Sequence, residues 1–318
     1  VSDDTAPVAL GAGREFDLIR AMLARWGPRA RGIGGDCVIV DPPAETRLVV
    51  STDTSVEDVH FRRDWLSPSA IGYRATAAAL SDLAAAAASP LGVLVALTLP
   101  PAWIDAAGAL ADGIGDAVAQ ADTVVLGGDT TGGSVLSLTV TVLGAAVRPL
   151  SRAGARPGDH LYVTGRFGGP AAAVRAWRAG RAVSAAWLDR FARPVPRLAE
   201  ARWLAAHGAV AAVDISDGLV ADVGHLAAAS RVRITIHLDR VPRVDGVQRA
   251  DVAGGGEEYE LAVIAPRGLD VDTFASAFAL PLTDVGEVAA GADGACGVDP
   301  FDGDARVDPA GGWDHFSE

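Results

Sequence analysis

Apolar runs that stop at an aspartate recur along this chain, and that repeat constrains the fold more than any other feature. Leu48-Val49-Val50 runs into Ser51-Thr52-Asp53, and Thr123 to Leu126 runs into Gly127-Gly128-Asp129. Val210 to Val213 runs into Asp214-Ile215-Ser216-Asp217-Gly218. A further aspartate, Asp36, closes the glycine-rich turn Gly32-Ile33-Gly34-Gly35 ahead of a short expected strand, Cys37 to Val40. Short apolar runs bounded by turn residues read as buried strands. Ligands of α/β sheets gather beyond strand ends, and hydroxyl and carboxylate oxygens there suit a hard divalent cation. For any one of these stretches alone, an ordinary polar turn is the alternative.

Helical patterns lie between the strands. Phe16, Ile19, Leu23 and Trp26 mark one face of a first helix that Gly27-Pro28 stops. Ser67-Pro68 is an N-cap followed by proline at the first helical position, and predicts a helix to about Ser89, ended by Pro90. Asp82 falls inside it, either on a wet face or held against apolar neighbours by a partner or a metal. Further strands are expected at Leu94 to Leu99, Val135 to Val147, His160 to Gly165, Ile234 to Leu238 and Leu261 to Ile264, with a helix from about Ala102 to Gln120. A helix at Leu219 to Ser230 opens just after Asp217-Gly218, and its first backbone N–H groups could meet an anion. Ser151 to Asp159 reads as a hinge carrying Arg152, either a phosphate contact or a solvated linker arginine. The pattern is α/β with two domains, 1–148 and 149–318.

Composition removes several function classes. The net charge is −13, which opposes a nucleic-acid surface. The sequence contains no lysine, so a Walker A loop and Schiff-base chemistry are both excluded. No apolar run reaches the roughly 18–20 residues of a membrane span, and no signal peptide is evident, so a cytoplasmic protein is expected. Cys37 and Cys296 lack metal-ligand spacing and read as free thiols, with a single disulfide between them as the alternative. An acidic protein can still handle a polyphosphate if divalent cations bridge the two sets of negative charge.

Eight motifs in order closely resemble the thiamine-monophosphate kinase family, of the superfamily that includes aminoimidazole ribonucleotide synthetase and selenophosphate synthetase. They are Gly32 to Cys37, Ser51 to Thr54 with His60-Phe61, Leu80 to Ala84, Gly127 to Thr131, Ser151 to Asp159, Asp214 to Leu219, Gly255 to Leu261 and Trp313 to Phe316. The resemblance implies an N-terminal α/β domain that binds ATP and metal and dimerises through its sheet. It also implies a C-terminal α+β domain that completes the nucleotide and substrate site. The expected activity is ATP- and Mg²⁺-dependent phosphorylation of thiamine monophosphate to thiamine diphosphate by direct in-line transfer, in a homodimer.

By match to the motifs, the implied ligands of several Mg²⁺ ions are Asp36, Ser51, Thr52, Asp53, Asp82, Asp129, Asp214 and Asp217. Asp53, Asp129 and Asp217 are the ones most directly tied to catalysis. Gly128, Asp129, Arg152 and Ser216 are implied contacts of ATP, and His60, Glu257 and Trp313 of the thiamine phosphate. Trp313 can stack on a heteroaromatic ring and Glu257 can offset its positive charge, although a tryptophan there could also simply seal a core edge. Three positions depart from the family pattern. Gly35 stands where a second acid is usual, Gly132 where an arginine often follows, and Glu258 where aspartate is usual. The rival readings are a superfamily member with a different acceptor and a catalytically silent nucleotide-binding homologue.

Overall fold

The computed structural model describes residues 13–31, 33, 37–308, 312 and 313. They form two compact units, one holding the residues up to Leu83 with Ala88–Pro149, the other Ala84–Ala87 with the residues from Leu150 onward.

The first unit contains α1 (Arg14–Trp26), β1 (Arg47–Val56), α2 (Pro68–Ala85), β2 (Ser89–Leu99), α3 (Ala107–Gln120), β3 (Val125–Gly132) and β4 (Ser137–Ala146). Its sheet has the order β1-β4-β2-β3. Only β2 and β3 run parallel, as a crossover through α3 requires. Val93, Val95, Leu97, Leu138, Val140 and Val142 point to one face and are buried. The helices pack tightly: a Cβ on Gly113 of α3 would lie 1.8 Å from the Ser69 carbonyl oxygen of α2. Trp26 of α1 donates its indole N–H to the Ala111 carbonyl of α3 at 2.8 Å.

The opposite face of this sheet is unlike a core. Leu48 and Val50 are 49% and 55% exposed. Beyond them run paired threonines, Thr52 with Thr141 at 3.0 Å and Thr54 with Thr139 at 2.9 Å between hydroxyl oxygens.

Several boundaries differ from the sequence reading. Cys37 to Val40 carries no strand; Pro42-Pro43 follow after Asp41 and have no N–H to give to a ladder. β1 does not stop at Val50 but runs through Ser51–Val56, every residue of it paired with β4. Hydroxyls and a carboxylate alternating with period two still fit a half-exposed edge strand. Helix α2 ends at Ala85, ahead of Pro90, which lies inside β2. The end is a Schellman motif: Ala87 has φ 54°, the Ala88 N–H donates to the Leu83 carbonyl and the Ala87 N–H to the Ala84 carbonyl. Alanine in the place usual for glycine hides that stop.

The second unit contains β5 (Asp159–Thr164), α4 (Gly169–Arg178), α5 (Ala185–Ala192), α6 (Leu198–Ala206), β6 (Ala211–Asp214), α7 (Leu219–Ser230), β7 (Arg233–His237) and α8 (Arg249–Ala253). After these come β8 (Leu261–Pro266), α9 (Val271–Phe278), β9 (Leu282–Ala289), β10 (Gly297–Asp302) and β11 (Ala305–Arg306). Its seven strands are ordered β11-β10-β7-β9-β5-β8-β6. Leu161, Val163, Val213, Ile234, Ile236 and Ile264 of the sheet share one buried core with Leu219, Val223 and Leu226 of α7. The helix and strands after β8 have no counterpart in the sequence reading.

Candidate active site

In the first unit, strand alternation sorts the expected ligands. Ser51, Asp53 and Ser55 share one face of β1, and Thr52 and Thr54 the other. Asp53 lies in the row of buried Val140 and Val95, so it faces the helices. On that side the Ser51 hydroxyl donates to Asp82 Oδ2 at 2.5 Å, which ties β1 to α2. Asp82 is therefore a partnered, half-buried carboxylate rather than a wet-face residue. Asp53 Oδ1 accepts the N–H of Thr54 at 2.8 Å. Ser51, Asp53 and Asp82 form an all-oxygen group of the kind a hard cation prefers.

Gly128 and Asp129 lie within β3 rather than beyond it. Gly128 is obligatory there: its φ is 155°, and a Cβ would come 1.9 Å from the Val95 carbonyl oxygen. Asp129 pairs with exposed Ala96 and points to the uncovered face, as does Thr52. β1 and β3 are the two edges of the sheet, three strand spacings or roughly 14 Å apart. Within one chain, then, Asp129 is not brought to Asp53. Asp36 falls outside the described residues.

His60 sits in the turn after β1. Its Nδ1 accepts the Val56 N–H at 3.1 Å. A backbone N–H can only donate, so Nδ1 is the acceptor in this contact. Beside it, the Trp103 indole N–H donates to Glu57 at 2.9 Å, and the Arg63 guanidinium lies 4.6 Å above the Trp103 ring.

The second unit gathers five expected residues around one loop. Asp214 is the last residue of β6 and is buried. The Ser216 carbonyl accepts the Glu257 N–H at 2.7 Å, and the Asp217 carbonyl accepts the Trp313 N–H at 3.0 Å. Asp214, Ser216, Asp217, Glu257 and Trp313 thus share one scaffold. Glu257 and Tyr259 both have left-handed backbones, φ 69° and 52°, a conformation costly for residues other than glycine. Their N–H bonds to Ser216 and Ile215 hold it.

Arg152 is elsewhere. Its carbonyl accepts the hydroxyl of Ser230 at the C-terminal end of α7, whereas Asp217 precedes the N-terminal end. Twelve helical residues span about 18 Å, so Arg152 and Ser216 are not neighbours within this unit.

Sequence reasoning missed three supporting groups. Asp222 Oδ2 accepts the N–H groups of Ser216, Asp217 and Gly218 at 3.0, 3.0 and 3.1 Å. These amides immediately precede those of α7 itself, from Leu219 onward, that the sequence reading offered to an anion; the protein's own carboxylate has taken these three. Burial, against those three bonds and with the charge of Asp217, pushes the Asp222 carboxyl up to about 6. Second, the Tyr259 phenol donates to Glu257 Oε2 at 2.6 Å. Third, a buried ion-pair network lies directly behind Glu257. Arg197 donates to Glu260 from Nε at 2.8 Å and from Nη2 at 2.5 Å. Arg190 bridges Glu260 at 3.0 Å and Glu258 at 3.3 Å. Burial works to raise Glu260, but the charges of Arg197 and Arg190 outweigh it and hold Glu260 below the usual glutamate range. Glu258 is pushed up to about 8 by burial, with only partial relief from Arg190 and the Gly168 N–H. The signal for the first two was sequence proximity, Asp222 to Asp217 and Tyr259 to Glu257. The arginines come from distant helices and gave none.

Two domains with mixed sheets and carboxylate-rich loops of this kind define a class, and the comparisons agree. Residues 34–146 match the AIR synthase related protein, N-terminal domain, and residues 156–299 match its C-terminal domain. Thiamine-monophosphate kinase of Escherichia coli O157:H7 is 36% identical over 332 residues, covering 95% of this chain and 98% of that protein. The crystal structure of thiamine-monophosphate kinase from Stenotrophomonas maltophilia K279a superposes with a TM-score of 0.81 at 36% identity, covering 90% and 96% of the two chains. The structure of AaThiL complexed with AMPPCP and TMP gives 0.75 at 29% identity, covering 95% and 96%. Within the AIR synthase-related class, the chain belongs to the thiamine-monophosphate kinase family.

Proposed function

We propose that this chain transfers the γ-phosphoryl group of ATP to the phosphate of thiamine monophosphate, giving thiamine diphosphate. The observation that carries the reading is the loop that joins Ser216 and Asp217 to Glu257 and Trp313 by backbone hydrogen bonds of 2.7 and 3.0 Å. It sets residues suited to a nucleotide and its metal beside an acid and an indole suited to a cationic heteroaromatic ring. His60, held at the turn after β1 by the Val56 N–H, serves the substrate phosphate. No general base is required, because the attacking phosphate oxygen is already ionised near neutral pH.

Mg²⁺ fits the donors present. Ser51, Asp53 and Asp82 on one unit, and Asp214 and Asp217 on the other, offer oxygen alone; Asp36, Thr52 and Asp129 complete the expected ligand set. Bound there, the ions supply neutralisation of phosphate charge. The protein's part is to orient both phosphates in line, with Gly128, Arg152 and Ser216 contacting ATP. Residues 1–148 form the ATP, metal and dimerisation domain and 149–318 complete the substrate site, in a cytoplasmic enzyme.

The protein is a homodimer through the uncovered face of the first sheet. Exposed Leu48 and Val50 support this, as do the two edge strands. Two-fold pairing would bring the Asp129 edge of one copy to the Thr52 edge of the other, joining two expected ligands that point to that face and that one chain keeps apart.

The test is direct chromatographic detection of thiamine diphosphate from thiamine monophosphate, ATP and Mg²⁺. Mg²⁺-dependent product is expected. Mg²⁺-dependent ATP binding without product would overturn the kinase reading in favour of another acceptor or a silent homologue.

A further inference from the structure

Asp222 lies in the first turn of α7 and is 1% exposed. Its Oδ2 receives three consecutive amides, from Ser216, Asp217 and Gly218. Convergent backbone N–H groups of this sort form the concavity that phosphate loops offer to an anion. The carbonyls of the same segment look the other way: Ser216 accepts from Glu257 and Asp217 accepts from Trp313. A three-residue segment is thus gripped on one side by Asp222, and on the other it holds the two residues assigned to the thiamine substrate.

We infer that Asp222 is a positioning residue for the reaction: by filling the amide nest at the start of α7 it locks Ser216–Gly218, and through that segment it sets Asp217, Glu257 and Trp313 together. With the nest filled by a carboxylate, the segment no longer offers its amides to phosphate. Asp217, Asp222 and His225 lie with ligand atoms within 4.8 Å of one another, so a role for Asp222 as a metal ligand is the alternative that the test separates. The inference deepens the proposed function and rests on that reading for the roles of Asp217, Glu257 and Trp313.

The experiment compares Asp222→Asn, Asp222→Ala and Asp217→Asn with the wild type. Asparagine keeps a carbonyl acceptor where Oδ2 stands; alanine leaves none. Hydrogen exchange at amides 216–218, followed by mass spectrometry on the protein alone, should be roughly tenfold faster or more in Asp222→Ala, and within a few-fold of wild type in Asp222→Asn. Turnover should fall at least ~100-fold in Asp222→Ala, the scale of a misplaced site, and stay within about tenfold in Asp222→Asn with an unchanged Mg²⁺ requirement. Wild-type exchange at 216–218 in Asp222→Ala would overturn the inference. So would an Asp222→Asn enzyme as inactive as Asp217→Asn with the same raised Mg²⁺ requirement, which would make Asp222 a ligand. If Asp222→Ala does not fold, the activity and Mg²⁺ requirement of Asp222→Asn decide alone. If the wild type yields no thiamine diphosphate, the proposed function fails, yet the exchange comparison still decides whether Asp222 holds the segment.

Discussion

Glu258→Gln should make the protein more stable at neutral pH, although it removes a charge that sits beside an arginine. Glu258 is fully buried, and its carboxyl is pushed up to about 8 because burial outweighs the partial relief from Arg190 and the Gly168 N–H. Arg190 is shared with Glu260, which already holds Arg197. Between about pH 4.5, where an exposed glutamate titrates, and pH 8, the unfolded chain has released a proton that the folded chain keeps. The folded state binds more protons across that window, so stability falls as pH rises. For one such group the loss between pH 5 and 7 is about 2.5 kcal/mol, with a slope no steeper than ~1.4 kcal/mol per pH unit. Glutamine is neutral throughout and mimics the protonated acid. Urea unfolding of both proteins from pH 5 to 8 should show the variant gaining on wild type by about 3.5 kcal/mol as pH rises. Glu260→Gln should behave oppositely, losing about 3–5 kcal/mol at pH 7 because it strips a buried charge from two arginines. A Glu258→Gln difference that is flat in pH would refute the argument, since Glu258 would then be ionised in the folded state.

Asp53→Asn and Asp217→Asn should each abolish turnover while leaving the circular dichroism spectrum and melting temperature close to wild type; near-normal rates in both would remove the multi-metal site. Trp313→Ala should raise KM for thiamine monophosphate far more than KM for ATP, and equal effects would sink the stacking role. Tyr259→Phe removes the phenol that holds Glu257 Oε2 at 2.6 Å and should raise KM for the thiamine substrate about 10–100-fold, the worth of one hydrogen bond to a charged group, with KM for ATP unmoved. ATP without Mg²⁺ should bind at least ~100-fold more weakly than with it in calorimetry, because the expected site is rich in carboxylates and the net charge is −13, so phosphate needs bridging cations; similar affinity in EDTA would contradict that.

Much of this was legible in the sequence because its signals are local. Asp214, Ser216 and Asp217 fall within four residues at the end of a short apolar strand, and the structure keeps that relation. The Ser67-Pro68 start of α2 is equally local, and the helix begins at Pro68. What the sequence concealed depends on pairing across space. β1 looked like a three-residue strand followed by ligands, because its outer half is written in serine, threonine and aspartate; only its pairing with β4 shows a strand of ten residues. That pairing also decides which ligands share a face, and it separates Thr52 and Asp129 from Asp53. The end of α2 escaped because Ala87 takes a left-handed backbone that composition assigns to glycine. Arg190 and Arg197 were invisible as partners of Glu258 and Glu260, more than 60 residues away in sequence.

The helix N-terminus at α7 shows why a local motif underdetermines chemistry. Asp214-Ile215-Ser216-Asp217-Gly218 followed by a helix reads equally well as a phosphate cradle, which needs a tight turn into free amides, or as a set of metal ligands, which needs the carboxylate and hydroxyl oxygens. The difference lies five residues beyond Asp217, where Asp222 returns to the three amides and fills them. A chain with net charge −13 repels free polyphosphate overall, although it carries 27 arginines. It also gives up this backbone nest to its own carboxylate. Both choices push the same way, toward phosphate held through mobile divalent ions. The overall charge and the direction of three backbone N–H groups are independent observations, and either alone would be weak support for a metal-bridged site.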